Sequence, residues 1–304
     1  MEHIPVLLNE SIDFLELKRD GIYVDATLGG GGHAEKIASL IGKNGKVIGI
    51  DQDEEAIEKA KMRLAEFEEK IEYVHDNFKN LDYILNKLGV EKIDGILLDL
   101  GVSTYQLESP ERGFSFSEKE ANLSAPLDMR MDRTQSLTAY EVVNKYRESQ
   151  LRDILWRLGE EPFARQISRK IVRQRERSPI KTTNDLLQVI KSATSPKYRF
   201  SRREGHYASK VFRAIRMEVN KELEAIEEVL PKAIGFLKKE GRLVVISFHS
   251  LEDRIVKQTF KSLANKEEPV IKILTKKPVL PTEEEIEKNP KARSAKLRVA
   301  EKLT

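Results

Sequence analysis

Residues 25–33 run Asp-Ala-Thr-Leu-Gly-Gly-Gly-Gly-His, and a second acid, Asp51, closes the next apolar run. Glycines let a ligand approach the backbone closely. The N–H groups that open a helix lack intrahelical partners, and a carboxylate at a strand end accepts hydrogen bonds from ribose hydroxyls. Those residue types at that spacing are chemistry for holding an adenosine-bearing cofactor. Two cofactors compete for the site. Gly29-x-Gly31-x-x-Ala34 satisfies the dinucleotide fingerprint and reads as NAD. Asp25-x-Thr27-x-Gly29-x-Gly31 fits the acidic-x-Gly-x-Gly-x-Gly loop of S-adenosylmethionine (SAM) methyltransferases, with Thr27 in place of the first glycine. The second register puts the Asp25 carboxylate at a strand end, where a sulfonium is attracted and a pyrophosphate repelled. SAM is therefore favoured over NAD, and over a Gly-rich turn with no ligand.

Further chemistry collects at other strand ends. Asp99-Leu-Gly-Val-Ser103 ends a continuous apolar run, Gly95–Leu100, at a point where amino-methyltransferases place Asp, Asn or Ser to accept hydrogen bonds from the target amine. The Pro-Pro-aromatic that usually follows is missing. Ser247-Phe-His-Ser-Leu-Glu-Asp-Arg254 ends another run. There Ser250 with Asp253 resembles a capping box with a shorter acid, and His249 is a candidate for touching substrate. Asp53 reads as a helix N-cap. Phe78, after the third strand, either covers an adenine face or belongs to the core. Arg165, Arg169 and Arg173 recur every fourth residue, joined by Lys170, Arg175 and Arg177, and read either as a solvated basic face or as a phosphate contact.

The elements that must position these groups begin as strand–helix repeats: strands at Gly21–Ala26, Lys46–Ile50, Ile71–His75 and Gly95–Leu100, with helices between them. That pattern predicts a doubly wound sheet. The next strong strand is Arg242–Ser247, a crossover far longer than the roughly 30 residues of a βαβ unit. The surplus reads as helices near Ala139–Lys145, Glu148–Arg157, Pro162–Gln174, Thr183–Ser192 and Tyr207–Met217, then a long helix over Met217–Lys239. Residues 115–216 are thus expected to be an inserted α-helical domain, leaving 1–114 and 217–304 as one discontinuous α/β domain. Two closing strands without an intervening helix, Val270–Leu274 and Lys296–Ala300, suit a methyltransferase sheet whose last strand inserts antiparallel.

Charge follows the same division. Residues 1–114 carry 13 Lys+Arg against 23 Asp+Glu, while 115–216 carry 22 against 12, which marks the insert for a polyanion such as RNA. The chain has no cysteine and five scattered histidines, which excludes a disulfide framework and gives no metal-ligand spacing. The N-terminus has no signal-peptide character and no run is long enough to span a membrane, so a cytoplasmic protein is expected.

With these residues assembled, the chain resembles the RsmH (MraW) family of bacterial SAM-dependent methyltransferases. The resemblance rests on His3-x-Pro5-Val-Leu-Leu-x-Glu10, Asp25–His33, Asp99-Leu-Gly-Val-Ser with Gln106, Arg112-Gly-Phe-Ser-Phe116, Leu127-Asp-Met-Arg-Met131, Ile246–Arg254 and Asn289-Pro-x-Ala-Arg-Ser-Ala295. It departs at Gly205-His-Tyr-Ala-Ser209, where the family usually has His-Pro-Ala-Thr. The resemblance implies a class I (Rossmann-like) methyltransferase fold with an inserted all-α domain. It implies an activity on N4 of a cytidine in the decoding region of 16S rRNA, within the small ribosomal subunit. It also implies SAM contacts at Gly31, Gly32, His33, Asp51, Phe78, Asp99 and Gln106, with Asp99, or the backbone carbonyl after it, as acceptor for the amine. Tyr105, Phe114, Phe116 and Phe248 are aromatic candidates to hold the base. The rivals are an NAD-dependent oxidoreductase and a non-catalytic RNA-binding assembly factor that keeps a SAM fold.

Overall fold

The computed structural model describes residues 5–116, 120–200 and 206–304. His3 and Gly205 of the motifs above lie outside the described residues. In chain order the elements are α1 (Leu8–Leu15), β1 (Ile22–Asp25), α2 (Gly32–Leu40), β2 (Lys46–Asp51), α3 (Glu54–Arg63), β3 (Ile71–His75), α4 (Leu81–Lys87) and β4 (Ile93–Asp99). Helices follow: α5 (Thr104–Glu108), α6 (Glu120–Leu123), α7 (Ala139–Lys145), α8 (Glu148–Arg157), α9 (Ala164–Arg175), α10 (Thr183–Ala193), α11 (Pro196–Arg199) and α12 (Ser209–Asn220). The chain ends with α13 (Glu222–Phe236), β5 (Leu237–Ser247), α14 (Ser250–Ala264), β6 (Ile271–Ile273), α15 (Glu283–Lys288) and β7 (Lys296–Lys302). It divides into two compact units, Met1–Gly101 with Leu223–Thr304, and Val102–Glu222.

The first unit is built on a seven-stranded sheet of order β3-β2-β1-β4-β5-β7-β6. β1 pairs in parallel with β2 and β4, and β5 extends the parallel set from β4, while β7 runs antiparallel to β5 and β6. This is the class I methyltransferase, Rossmann-like sheet. Its central strands read as unbroken apolar runs because helices cover both faces: Ile93, Ile96, Leu97 and Leu98 of β4 are wholly buried, as are Leu243, Val244 and Ile246 of β5. The strand order reverses between β1 and β4, and at such a switch point the carboxyl ends of the strands open a ligand crevice.

The second unit is helical among its described residues apart from one isolated bridge between Pro126 and Thr182. Its core joins Val142, Leu151, Ile167, Leu186 and Ile215 from five helices. Its bounds, Val102 and Glu222, differ from the 115 and 216 expected from the helical stretches of the long crossover, for a reason visible in its hydrogen bonds. The buried Arg112 guanidinium donates to the carbonyls of Arg130 and Met131. Asn220 accepts from Met131 N and donates to Met129 O, and Glu222 forms a bidentate pair with Arg216. The flanks are thus tied into the helical unit although they carry little of its charge. The same bonds explain the Arg112–Phe116 and Leu127–Met131 motifs as one interlocked turn, in which a Cβ on Gly113 would stand 2.2 Å from Pro126 O. Phe114 is buried in this core, so it does not present its ring to a base.

The helix expected over Met217–Lys239 is interrupted. Lys221 takes a left-handed φ of 50° that ends α12, α13 starts at the next residue, and the chain is already a strand from Leu237. Among the described residues no helix is long and apolar enough to cross a membrane, and no group of three or more His, Cys, Asp or Glu is placed to hold a metal.

Candidate cofactor and methyl-transfer site

The glycine loop lies between β1 and α2 at the switch point. Gly29 and Gly31 have φ of +50° and +80°, a region that costs other residues a Cβ clash. The remaining glycines divide their labour. A Cβ on Gly31 would meet Leu64 at 2.9 Å, and one on Gly32 would meet Pro5 at 2.3 Å, so these two let the chain pack on itself. A Cβ on Gly30 would meet nothing within 4 Å, so the loop offers its open face to a ligand there.

Four carboxylates stand on or just beyond the strand ends. Asp25 closes β1, and its pairing opposite Gly49 and Leu97 sets it between β2 and β4. It is 1% exposed, and burial pushes its carboxyl up to about 7, against the pull of the backbone N–H groups of Thr27 and Ala34. Asp51 closes β2. Its two oxygens accept from Gly29 N and Asp53 N, both at 2.8 Å, so it braces the glycine loop against the start of α3. Burial raises Asp51 to about 6 despite those donors. Asp53 caps α3 by accepting from Glu55 N, the role its position implies.

Asp99 closes β4. Burial, then the charges of Asp25 and Glu252, hold its carboxyl well above the usual carboxylate range. Its N–H donates to Thr27 Oγ1 at 2.6 Å. Thr27, the one departure from the glycine pattern, thereby fixes the end of β4 from 72 residues away. Asp99 Oδ2 lies 3.8 Å from His33 Nδ1, and His33 Nε2 is 3.2 Å from Val6 O. A carbonyl only accepts, so Nε2 carries the hydrogen and Nδ1 is the ring atom facing the carboxyl. His33 is buried at the head of α2 and holds the N-terminal segment through Val6 O while its Nδ1 faces Asp99. That segment is also anchored through Leu7 N, which donates to Glu285 of α15 at 2.7 Å.

His249 N-caps α14. Its Nδ1 accepts from Glu252 N, and its Nε2 lies 3.0 Å from Glu252 Oε1. Glu252, 1% exposed, accepts through Oε2 from the N–H groups of Phe248 and His249. The capping box is therefore His249 with Glu252, one register away from the Ser250–Asp253 box expected from sequence. Asp253 instead pairs with Arg298 at 2.6 Å. His249 Nδ1 is thus committed to the cap, whereas Nε2, although 3.0 Å from Glu252 Oε1, makes no hydrogen bond among the described residues and keeps the ring a candidate for contact with substrate. Phe248 stands over Gly101, whose added Cβ would touch its ring at 3.4 Å.

The other candidate residues fall as follows. Phe78 opens a short 3-10 turn and packs partly buried against the sheet core. Beside it Asn77 donates to Gln52 Oε1, linking the loops after β3 and β2. Gln106 belongs to the helical unit and is buried. Its Oε1 accepts from Ser103 N in a capping box, so that oxygen serves its own helix. Arg165, Arg169 and Arg173 are exposed along α9. Arg175 leaves that stripe and donates to the carbonyls of Val143 and Tyr146. Thr27, Gly30 and Glu252 lie within the motifs read from the sequence, but nothing in those motifs assigns the roles they take here.

The arrangement suits a cation. Asp25 Oδ2 and Asp99 Oδ1 are buried and have no hydrogen-bond partner among the described residues. Buried unsatisfied oxygens are costly and call for a ligand. Facing Asp25, Asp99 and Glu252, a pyrophosphate would be repelled, while an ammonium or sulfonium would be held. The residues present therefore fit SAM and not NAD.

The sequence matches the MraW methylase family over residues 1–303. It is 50% identical over 315 aligned residues, covering 99% of both chains, to proteins named ribosomal RNA small subunit methyltransferase H from Clostridium botulinum strains Kyoto and 657. It is also similar to the crystal structure of a putative rRNA-methylase from Clostridium thermocellum, with TM-score 0.48, 14% identity and coverage of 99% of this chain and 100% of that one. A family match along nearly the whole chain, with half of all residues shared with its curated relatives, means that this chain belongs to the MraW methylase family.

Proposed function

We propose that this methylase takes its methyl group from SAM and places it on N4 of a cytidine in the decoding region of 16S rRNA, acting in the cytoplasm on RNA of the small ribosomal subunit. The observation that carries the cofactor half is the pair of unpartnered buried oxygens, Asp25 Oδ2 and Asp99 Oδ1, at neighbouring strand ends. The rRNA half rests on the relatives' names and on the basic helical unit, which carries 24 Lys+Arg against 16 Asp+Glu over 102–222. An intact carboxylate set argues for a working enzyme over a non-catalytic assembly factor.

When bound, SAM supplies an electrophilic methyl on an activated sulfonium. The chain's part is to bind, orient and move a proton. Asp51 keeps lone pairs beyond those given to Gly29 and Asp53, and these accept from ribose hydroxyls. The open backbone at Gly30 admits the cofactor. The N4 amine of cytosine is a poor nucleophile because its lone pair is delocalised into the ring. Asp99, as a carboxylate, would accept one amine hydrogen, localise the lone pair for attack and receive the proton as the methyl passes from sulfur to N4, the S–CH3 bond breaking to leave a neutral thioether. Positioning supplies much of the remaining rate. The target base leaves its stack to reach an acid set this deep in a strand-end crevice.

Incubating the protein with methyl-labelled SAM and small-subunit RNA or subunits should move label into RNA. Absence of incorporation where SAM demonstrably binds would contradict the reading. For the RNA surface, changing Arg165 and Arg173 to Glu should weaken RNA binding and flatten its salt dependence by about one logarithmic slope unit per lost phosphate contact. SAM affinity should not change. An unaltered salt slope would move the contact to the basic stretch at Lys291, Arg293 and Lys296, where Arg298 is buried and paired with Asp253.

A further inference from the structure

The chain has one tryptophan, and it is on the surface: Trp156, on α8, is 64% exposed. An exposed large aromatic ring is costly to keep in water and marks a contact surface when it lies among like-minded neighbours. Its neighbours along α8 carry both signs of charge, Arg152 being paired with Asp153, and the excess of cations lies on α9. Glu148, Arg152 and Trp156 follow one another at four-residue spacing along α8, and all three are exposed. The opposite face of α8 carries the buried Leu151 and Leu155. α8 and α9 form a hairpin across a short connection, and Glu148 Oε1 approaches Arg169 Nε at 3.9 Å. That contact places the Glu148–Trp156 edge of α8 alongside the Arg165–Arg169–Arg173 line of α9. Because the helices run back on each other, Trp156, two turns on from Glu148, lies toward the Arg165 end.

We propose that Trp156 is a base-stacking anchor: the α8–α9 face binds single-stranded RNA, the arginine line takes the phosphates, and the indole stacks on an unpaired base at one end of that line. The claim rests on the rRNA reading above and adds a recognition element that charge alone does not supply. A row of guanidinium groups reads only the backbone, whereas an aromatic face next to it selects strand regions whose bases are unstacked. A helical face bearing this much charge does not suit a second copy of the same surface, because the cations would oppose each other.

Having one tryptophan makes the test direct. Titrating the full-length protein with a short unstructured RNA should quench its fluorescence in step with binding followed by polarisation of the labelled RNA. Trp156→Ala should weaken that RNA about tenfold or more with an unchanged salt slope, since no cation is lost, and Trp156→Phe should restore most of the affinity. SAM affinity should be the same in all three. If RNA binds but emission is unmoved and Trp156→Ala binds as tightly as the parent, the stacking proposal is overturned and the rRNA reading stands. If the parent protein binds neither this RNA nor small-subunit RNA, the rRNA reading itself is wrong. Emission that changes with protein concentration, together with a dimer in sedimentation that Trp156→Ala abolishes, would instead assign the ring to self-association and overturn the proposal.

Discussion

Asp99→Asn is expected to slow single-turnover methyl transfer by roughly 10²–10⁴-fold, the range typical of losing a general base, while changing SAM affinity far less. The substitution keeps the planar shape at the end of β4, and the Asp99 N–H bond to Thr27 is a main-chain bond that survives it. What it removes is the capacity to hold a proton. An amide oxygen can still accept a hydrogen bond from the amine but cannot take the proton. Because the loss falls on the chemical step, it should persist at saturating SAM and saturating RNA. Transfer near the parent rate at saturation would reduce Asp99 to a cofactor contact. The proton would then leave through another group, with Ser247 and His249, whose Nε2 has no hydrogen-bond partner among the described residues, next in line.

Asp51→Ala should weaken SAM binding by about 1.5–3 kcal/mol, roughly ten- to hundred-fold, through loss of charge-assisted hydrogen bonds. The substitution acts twice. It removes the acceptor for the ribose and releases Gly29 N and Asp53 N, which shape the glycine loop and the start of α3. The affinity of the parent should also depend on pH. Without cofactor, Asp51 protonates near pH 6 and Asp25 near pH 7. SAM needs both as carboxylates, so affinity should rise from about pH 5 through 7, with protons released on binding in that window. For the fold the sign is opposite. Folded values raised above the unfolded carboxylate range, about 4, mean these groups stabilise the cofactor-free fold at low pH. That contribution is lost as pH rises through 6 and 7. Calorimetry in buffers of different ionisation enthalpy reads the proton release. A pH-independent affinity, or an Asp51→Ala protein that binds SAM as the parent does, would remove Asp51 from the site.

What could be read along the chain were features with a local period or a local turn. The bounds of α7 and α8 match their apolar spacing residue for residue, and the acids at the ends of β1, β2 and β4 stand where the apolar runs stop. Other features were illegible because they are made by residues far apart in sequence. Thr27 reads as a flaw in a glycine motif until its hydroxyl is seen on Asp99 N, and His33 reads as a ligand contact until Val6 O is found on its ring. Gly32 looks like room for a ligand and is room for Pro5. The cap of α14 falls one residue before the expected Ser250, because the His249 nitrogen accepts a backbone N–H as a serine oxygen would. The limits of the helical unit are not legible in its helical spacing, since Arg112, Asn220 and Glu222 join it by hydrogen bonds to residues far along the chain.

The most direct test of the central claim is mass spectrometry of nuclease fragments of small-subunit rRNA from cells with and without this protein, read for methyl mass and position. The account predicts that one cytidine of the decoding region carries an N4 methyl only when the protein is present, and that the Asp99→Asn protein fails to restore it. A methyl that persists without the protein, or a protein-dependent methyl on another base or another RNA, would contradict it.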